Sequence, residues 1–118
     1  MPAIKVLRIE NPGRDYRLTI KEEACPHPGP GQVAIKVAAA GLNRADLLQG
    51  RGLYPPPPGA SDIPGMEVSG TIIALGEGVE HLAAGQRVCA LLAGGGYAEV
   101  AIADAGAVLP VPEGVDLV

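Results

Sequence analysis

Proline and glycine interrupt this chain so often that it can hold only short elements. There are 17 glycines and 12 prolines in 118 residues, and they cluster. The segment from Cys25 to Gly31 (CPHPGPG) contains little else. Proline lacks the N–H and fixes φ, so neither a helix interior nor a central strand can hold it. It reads as a loop between strands. The segment from Tyr54 to Pro64 (YPPPPGASDIP) is a second loop, stiffened by consecutive prolines into an extended stretch.

The stretches between these breaks alternate apolar and polar residues. Ala3 to Ile9 reads as a strand ended by the turn Asn11-Pro12-Gly13. Tyr16 to Glu22 reads as a half-buried strand, with Tyr16, Leu18 and Ile20 on one face and Arg17, Thr19 and Lys21 on the other. Gln32 to Ala40 alternates strictly, Val33, Ile35 and Val37 against Ala34, Lys36 and Ala38. Gly41 breaks this strand. Asn43 is placed to cap a short helix from Arg44 to Gln49, with Asp46 in its first turn, and Gly50 and Gly52 end it. Further strands are expected over Gly65–Gly76, Gln86–Leu92, Tyr97–Ala103 and Val108–Val111, with a bulge or bend at Gly70 and a hairpin turn or bulge at Gly94-Gly95-Gly96. Short strands with turns roughly every 8–12 residues suggest a sandwich or barrel. No helix is long enough for a βαβ unit. The chain is therefore expected to be one mainly β domain.

Its core must be aliphatic, because the chain has no Phe or Trp and three Tyr. A net charge of −4 and the lack of a Lys/Arg cluster argue against a nucleic-acid partner. No apolar run approaches the roughly 20 residues of a membrane helix. The N-terminus has no signal-peptide pattern. Two widely separated cysteines, Cys25 and Cys89, are no disulfide framework. The cytoplasm is the expected location.

Little in the sequence announces chemistry. Gly76-Glu77-Gly78 begins like a dinucleotide fingerprint, but His81 stands where its third glycine should be and no helix follows. Cys25 with His27, and His81 with Cys89, do not make the three or four spaced ligands of a zinc site. Cys89 is expected to point into the core and His81 to sit in a surface turn. There is no Gly-x-Ser-x-Gly elbow. What remains is Gly41–Leu48, Tyr54 and Gly65–Gly70, where Asn43, Asp46, Tyr54 and Glu67 stand near turns and a helix start. By themselves Asn43 reads as a helix cap, Asp46 as a dipole partner and Tyr54 as a loop anchor.

Several blocks in one order carry more. They are Pro28-Gly29-Pro30-Gly31-Gln32-Val33, Ala39-Ala40-Gly41-Leu42-Asn43-Arg44-Ala45-Asp46, Pro64-Gly65-Met66-Glu67-Val68-Ser69-Gly70, Gly85-Gln86-Arg87-Val88, Gly95-Gly96-Tyr97-Ala98-Glu99 and Pro110-Val111-Pro112-Glu113-Gly114. Over nearly the whole chain they resemble the N-terminal, GroES-like domain of the medium-chain dehydrogenase/reductase superfamily. The zinc alcohol dehydrogenases of that superfamily place Cys and His where this chain has Asn43 and Met66. An amide and a thioether cannot replace thiolate and imidazole on Zn²⁺. The chain thus resembles the zinc-free quinone oxidoreductase branch. Asn43–Gln49 with Gly52–Ser61 is similar to the tumour-suppressor-inducible type of NADPH:quinone oxidoreductase.

The resemblance implies a GroES-like, partly open β-barrel with one or two short helices, and no metal. It implies hydride transfer from NADPH to a quinone or conjugated carbonyl (an enone). Tyr54 would be the catalytic residue, positioning the substrate and donating through its hydroxyl. Asn43, Arg44, Ala45, Asp46 and Leu47 would bind the nicotinamide half of the cofactor. Glu67 would be structural, paired with Arg44 or Arg51. The family's Rossmann domain, which carries most cofactor contacts, does not appear in the 118 residues. The chain is then the substrate-side catalytic domain, expected to bind NADPH weakly and to be inactive alone. The apolar face that the missing domain would cover favours self-association into a homodimer. Two other readings fit the same pattern: an enoyl reductase domain and a non-catalytic GroES-like scaffold.

Overall fold

The computed structural model describes residues 3–118. Seven strands and one α-helix follow in the order β1 (Ala3–Glu10), β2 (Arg17–Ala24), β3 (Gln32–Ala40), α1 (Arg44–Gly50), β4 (Glu67–Leu75), β5 (Arg87–Leu91), β6 (Val100–Asp104) and β7 (Val108–Pro110). A single 3-10 turn, Ala105–Ala107, joins the last two strands. Five strands form an antiparallel sheet in the order β6-β3-β4-β5-β7, and β1 and β2 form a separate two-stranded ribbon. The sheet curls into a half-barrel, so the expected mainly β, partly open barrel with a short helix is what forms.

β3 is an interior strand of the sheet, between β6 and β4, and buries residues on both faces. Val33 and Ile35, fully buried, join Val68, Ile72, Val88 and Val108 in the main core cluster. Ala34, on the opposite face, is also buried, against Ile4, Val6 and Val100. The second face is covered because β1 crosses it. Leu7 N–H donates to Tyr97 O at 2.8 Å and Glu99 N–H to Lys5 O at 3.0 Å. Lys36, farther along β3, is exposed.

Four local expectations are corrected by this arrangement. β2 is not half-buried. It pairs only with β1, so Leu18 and Ile20 remain 54% and 72% exposed. Cys89 is exposed rather than in the core, because Val88 and Ala90 take the inward positions of β5. Gly94-Gly95-Gly96 is no hairpin turn. β5 and β6 lie apart in the sheet, so these glycines run across to Ile63–Gly65, where Gly95 N–H meets Ile63 O at 2.7 Å and Gly96 N–H meets Gly65 O at 3.0 Å. Gly70 does not itself bulge. The extra residue is Ala38 on the facing strand, between the pairs Val37↔Gly70 and Ala39↔Ser69. Gly70 is required there because a Cβ would stand on the carbonyl oxygen of Lys36.

Candidate functional site

The site is built where β3 ends and α1 begins. Asn43, extended at φ −133° and ψ 152°, precedes the helix. Its N–H donates to Asp46 Oδ2 at 2.9 Å, and Asp46 N–H donates to Asn43 O at 3.0 Å. The carboxylate thereby takes up an N–H that the first helical turn leaves unpaired, at the end where the helix dipole favours negative charge. The helix ends as expected from its glycines: Gly52 N–H bonds Gln49 O at 3.0 Å, and Gly50 lies beneath the Tyr16 ring, where a Cβ would come within 2.5 Å of Cε2.

The second support comes from far along the chain. Tyr97 Oη is hydrogen-bonded to Asp46 Oδ2, and it lies 3.1 Å from Gly41 O. A phenol has one proton, which these two acceptors share. Asp46 Oδ2 thus accepts from both Asn43 and Tyr97, while Oδ1 is buried with no partner among the described residues. Burial pushes the Tyr97 phenol well above its ordinary value, and the bond to Asp46 and the charges of Asp46 and Glu67 push it further. Tyr97 is therefore a neutral donor throughout the physiological range.

Glu67 covers the other side of Gly41. Gly41 N–H donates to Glu67 O at 3.1 Å, and a Cβ on Gly41 would collide with the Glu67 side chain. The expected pairing of Glu67 with Arg44 or Arg51 is absent from the ion pairs of the described residues. The exposed carboxylate lies against backbone instead.

Two hollows flank this loop. One, of about 310 Å³, has a polar rim of Asn43, Arg44 and Asp46 and a largely apolar wall of Leu7, Tyr16, Leu18, Leu42, Leu47, Pro64 and Tyr97. The other, of about 760 Å³, is lined by Ala39–Gly41, Glu67, Ser69, Cys89, Leu91 and Leu109. Gly41 lines the second and Leu42 and Asn43 the first, so the β3–α1 loop is the ridge between them.

Four of the residues expected to bind cofactor, Asn43, Arg44, Asp46 and Leu47, share the smaller hollow. Ala45 is half-buried in α1 and lines neither. Tyr54 lies on the proline-rich loop, 37% exposed, and also lines neither. Among the described residues no three His, Cys, Asp or Glu side chains group closely enough to hold a metal ion. Sequence reasoning missed Tyr97, which it placed in a strand. The available signal was Gly96 just before it, whose close approach to Gly65 sets where the tyrosine stands.

The alcohol dehydrogenase GroES-like domain family matches residues 29–113. The chain is 43% identical, over 97% of its length, to the pikromycin polyketide synthase component PikAII of Streptomyces venezuelae, and covers 3% of that protein. It is 45% identical over 70% of its length to the human synaptic vesicle membrane protein VAT-1 homolog, covering 21% of it. Among solved structures, a putative NADPH:quinone reductase from Mesorhizobium loti superposes with a TM-score of 0.81 at 29% identity, over 99% of this chain and 39% of that one. The CurK enoyl reductase superposes with a TM-score of 0.83 at 26% identity, over 99% of this chain and 37% of that one. The chain spans less than a quarter of the length of these two curated relatives. It belongs to the alcohol dehydrogenase GroES-like domain family of the medium-chain dehydrogenase/reductase superfamily.

Proposed function

We propose that this family member is the substrate-side domain of a zinc-independent, NADPH-dependent reductase acting on a quinone or conjugated carbonyl. The observation that carries the reading is Asn43, fastened through Asp46 to Tyr97 on the ridge between the two hollows. The zinc enzymes of the superfamily use a thiolate at this position. The carboxamide, with Met66 following in the other ligand position, offers Zn²⁺ neither thiolate nor imidazole. Likeness to a putative NADPH:quinone reductase supports the choice of substrate class.

The residues present suit the cofactor this implies. Arg44 is exposed at the start of α1 and makes no ion pair among the described residues, which leaves its guanidinium for a phosphate. The apolar wall of the smaller hollow suits a nicotinamide ring. When bound, NADPH supplies the hydride. The protein's part is to hold the acceptor, exclude water with Leu42 and Leu47, and donate hydrogen bonds to the oxygen that gains charge. The family resemblance assigns that donor role to Tyr54, on the proline-rich loop, with the acceptor stacked on the nicotinamide face in the same hollow. Without its Rossmann partner the domain would bind NADPH weakly and turn over poorly.

Likeness to CurK favours a second reading, reduction of an enoyl thioester. The test is NADPH oxidation by the full-length protein that carries this domain, offered an ortho-quinone, a para-quinone and an enoyl thioester, with Tyr54→Phe alongside. Quinone-dependent oxidation that falls about 10- to 100-fold in the variant is expected. Oxidation with the thioester alone would transfer the assignment to enoyl reduction. Bound NADPH with no oxidation by any acceptor would sink hydride transfer altogether.

A further inference from the structure

The outer edge of β2 has no partner strand. β1 holds its inner edge from Arg17 to Ala24, and no other backbone hydrogen bond among the described residues reaches it. The opposite side of β1 is already tied to Tyr97 and Glu99. Open edges of this kind are usually guarded by scattered charges. Here the charges are sorted: Arg17 and Lys21 precede Glu22 and Glu23. On the alternate positions, Leu18 and Ile20 are 54% and 72% exposed, far more than strand residues with a buried face would be.

We propose that β2 docks antiparallel on the β2 of a second copy of this chain, with Ile20 facing Ile20 across the two-fold axis. Antiparallel self-pairing keeps like faces together only when opposed residues share parity. With Ile20 at the centre, Leu18 stands opposite Glu22, Thr19 opposite Lys21, and Arg17 opposite Glu23. Arg17 makes no ion pair within the described residues. Glu23 already binds Arg8 at 2.5 Å, but a carboxylate has acceptor sites left for a second cation. Sliding the register by two residues opposes Arg17 to Lys21 in one direction and Lys21 to Lys21 in the other, and like charges directly opposite repel. Among registers within two residues of this one, charge therefore selects it. It extends the ribbon to four strands, β1-β2-β2-β1, and covers Ile20 with its own copy.

Sedimentation of the full chain over a wide concentration range tests this, together with amide exchange along β2. Expected is a dimer whose β2 amides gain protection as concentration rises. Ile20→Lys and Arg17→Glu should each weaken it about tenfold or more, with the melting temperature of the dilute monomer unchanged. A monomer at every concentration would overturn the proposal. So would a dimer whose β2 amides exchange as fast as in the monomer, or one indifferent to both substitutions.

Discussion

The hydroxyl of Tyr97 is bonded to the carboxylate of Asp46, 51 positions earlier in the chain. That one contact joins the first turn of α1 to the crossing segment before β6, and so fixes the loop carrying Asn43. The same carboxylate oxygen receives the Asn43 N–H, so the helix cap and the tertiary contact share one acceptor. Its neighbour, Oδ1, has no partner among the described residues, which leaves Asp46 dependent on these two donors.

Removing the hydroxyl should therefore cost more than a surface bond. Tyr97→Phe is expected to lower stability by about 1.5–3 kcal/mol, the range for a bond to a charged partner. The loss is read from urea melts. Its pH dependence carries a sign. The folded phenol titrates above the unfolded one, so its contribution is complete below the ordinary phenol value and is lost as pH rises above it. The gap between wild type and Tyr97→Phe should hold at neutral pH and shrink above about pH 10. A gap that widens there would refute the linkage.

Gly70→Ala should be among the most damaging small substitutions. The new methyl group would occupy the space of the Lys36 carbonyl oxygen, which is backbone in the central strand pair and cannot move aside. A loss of about 2–3 kcal/mol or more is expected from forced strand separation. The matching substitution Gly106→Ala, where the space is open, should change little. Thermal melts of the two variants make the comparison.

Acid should loosen the ribbon before the barrel. Arg8 binds Glu23 and Asp62, and Lys21 binds Glu10 at 2.9 Å. Arg8 holds the Glu23 carboxyl below its ordinary value, and Lys21 does the same for Glu10. Carboxyls lowered in this way contribute stability that is complete above their ordinary value and is lost as pH falls below it through the lowered folded value. Amide exchange in β2 should accelerate below about pH 4.5 relative to β3 and β4. Arg8→Met should already show the acid behaviour of β2 at neutral pH.

Arg44→Gln tests the cofactor side. Arg44 is exposed and makes no ion pair among the described residues, so the melting temperature should not move. NADPH affinity of the full-length protein should fall by about tenfold, the loss of one charge-assisted phosphate contact. Titration of NADPH fluorescence measures it. Unchanged affinity would remove Arg44 from the cofactor site.

Much of the fold is legible because its signals are local. The proline clusters at Cys25–Gly31 and Tyr54–Pro64 are loops, the alternation from Gln32 to Ala40 is a strand, and Asn43 stands at the helix cap. The grouping of Asn43, Arg44, Asp46 and Leu47 followed from the same local reading, since consecutive residues at a helix start cannot be far apart. Tyr54 did not join them. A proline-rich loop constrains its own direction but says nothing of where its side chains come to rest.

By itself the sequence determined the elements: the existence of each strand and its position to within a few residues, where the helix starts and stops, and that the core is aliphatic. Tertiary structure decided which faces are covered. Alternation of period two divides a strand into two faces without stating which one will meet another layer. That depends on strand order, a set of pairings between distant segments. So Cys89 turned outward, Leu18 and Ile20 stayed exposed on an edge ribbon, Ala34 was buried by β1, and Tyr97 found Asp46.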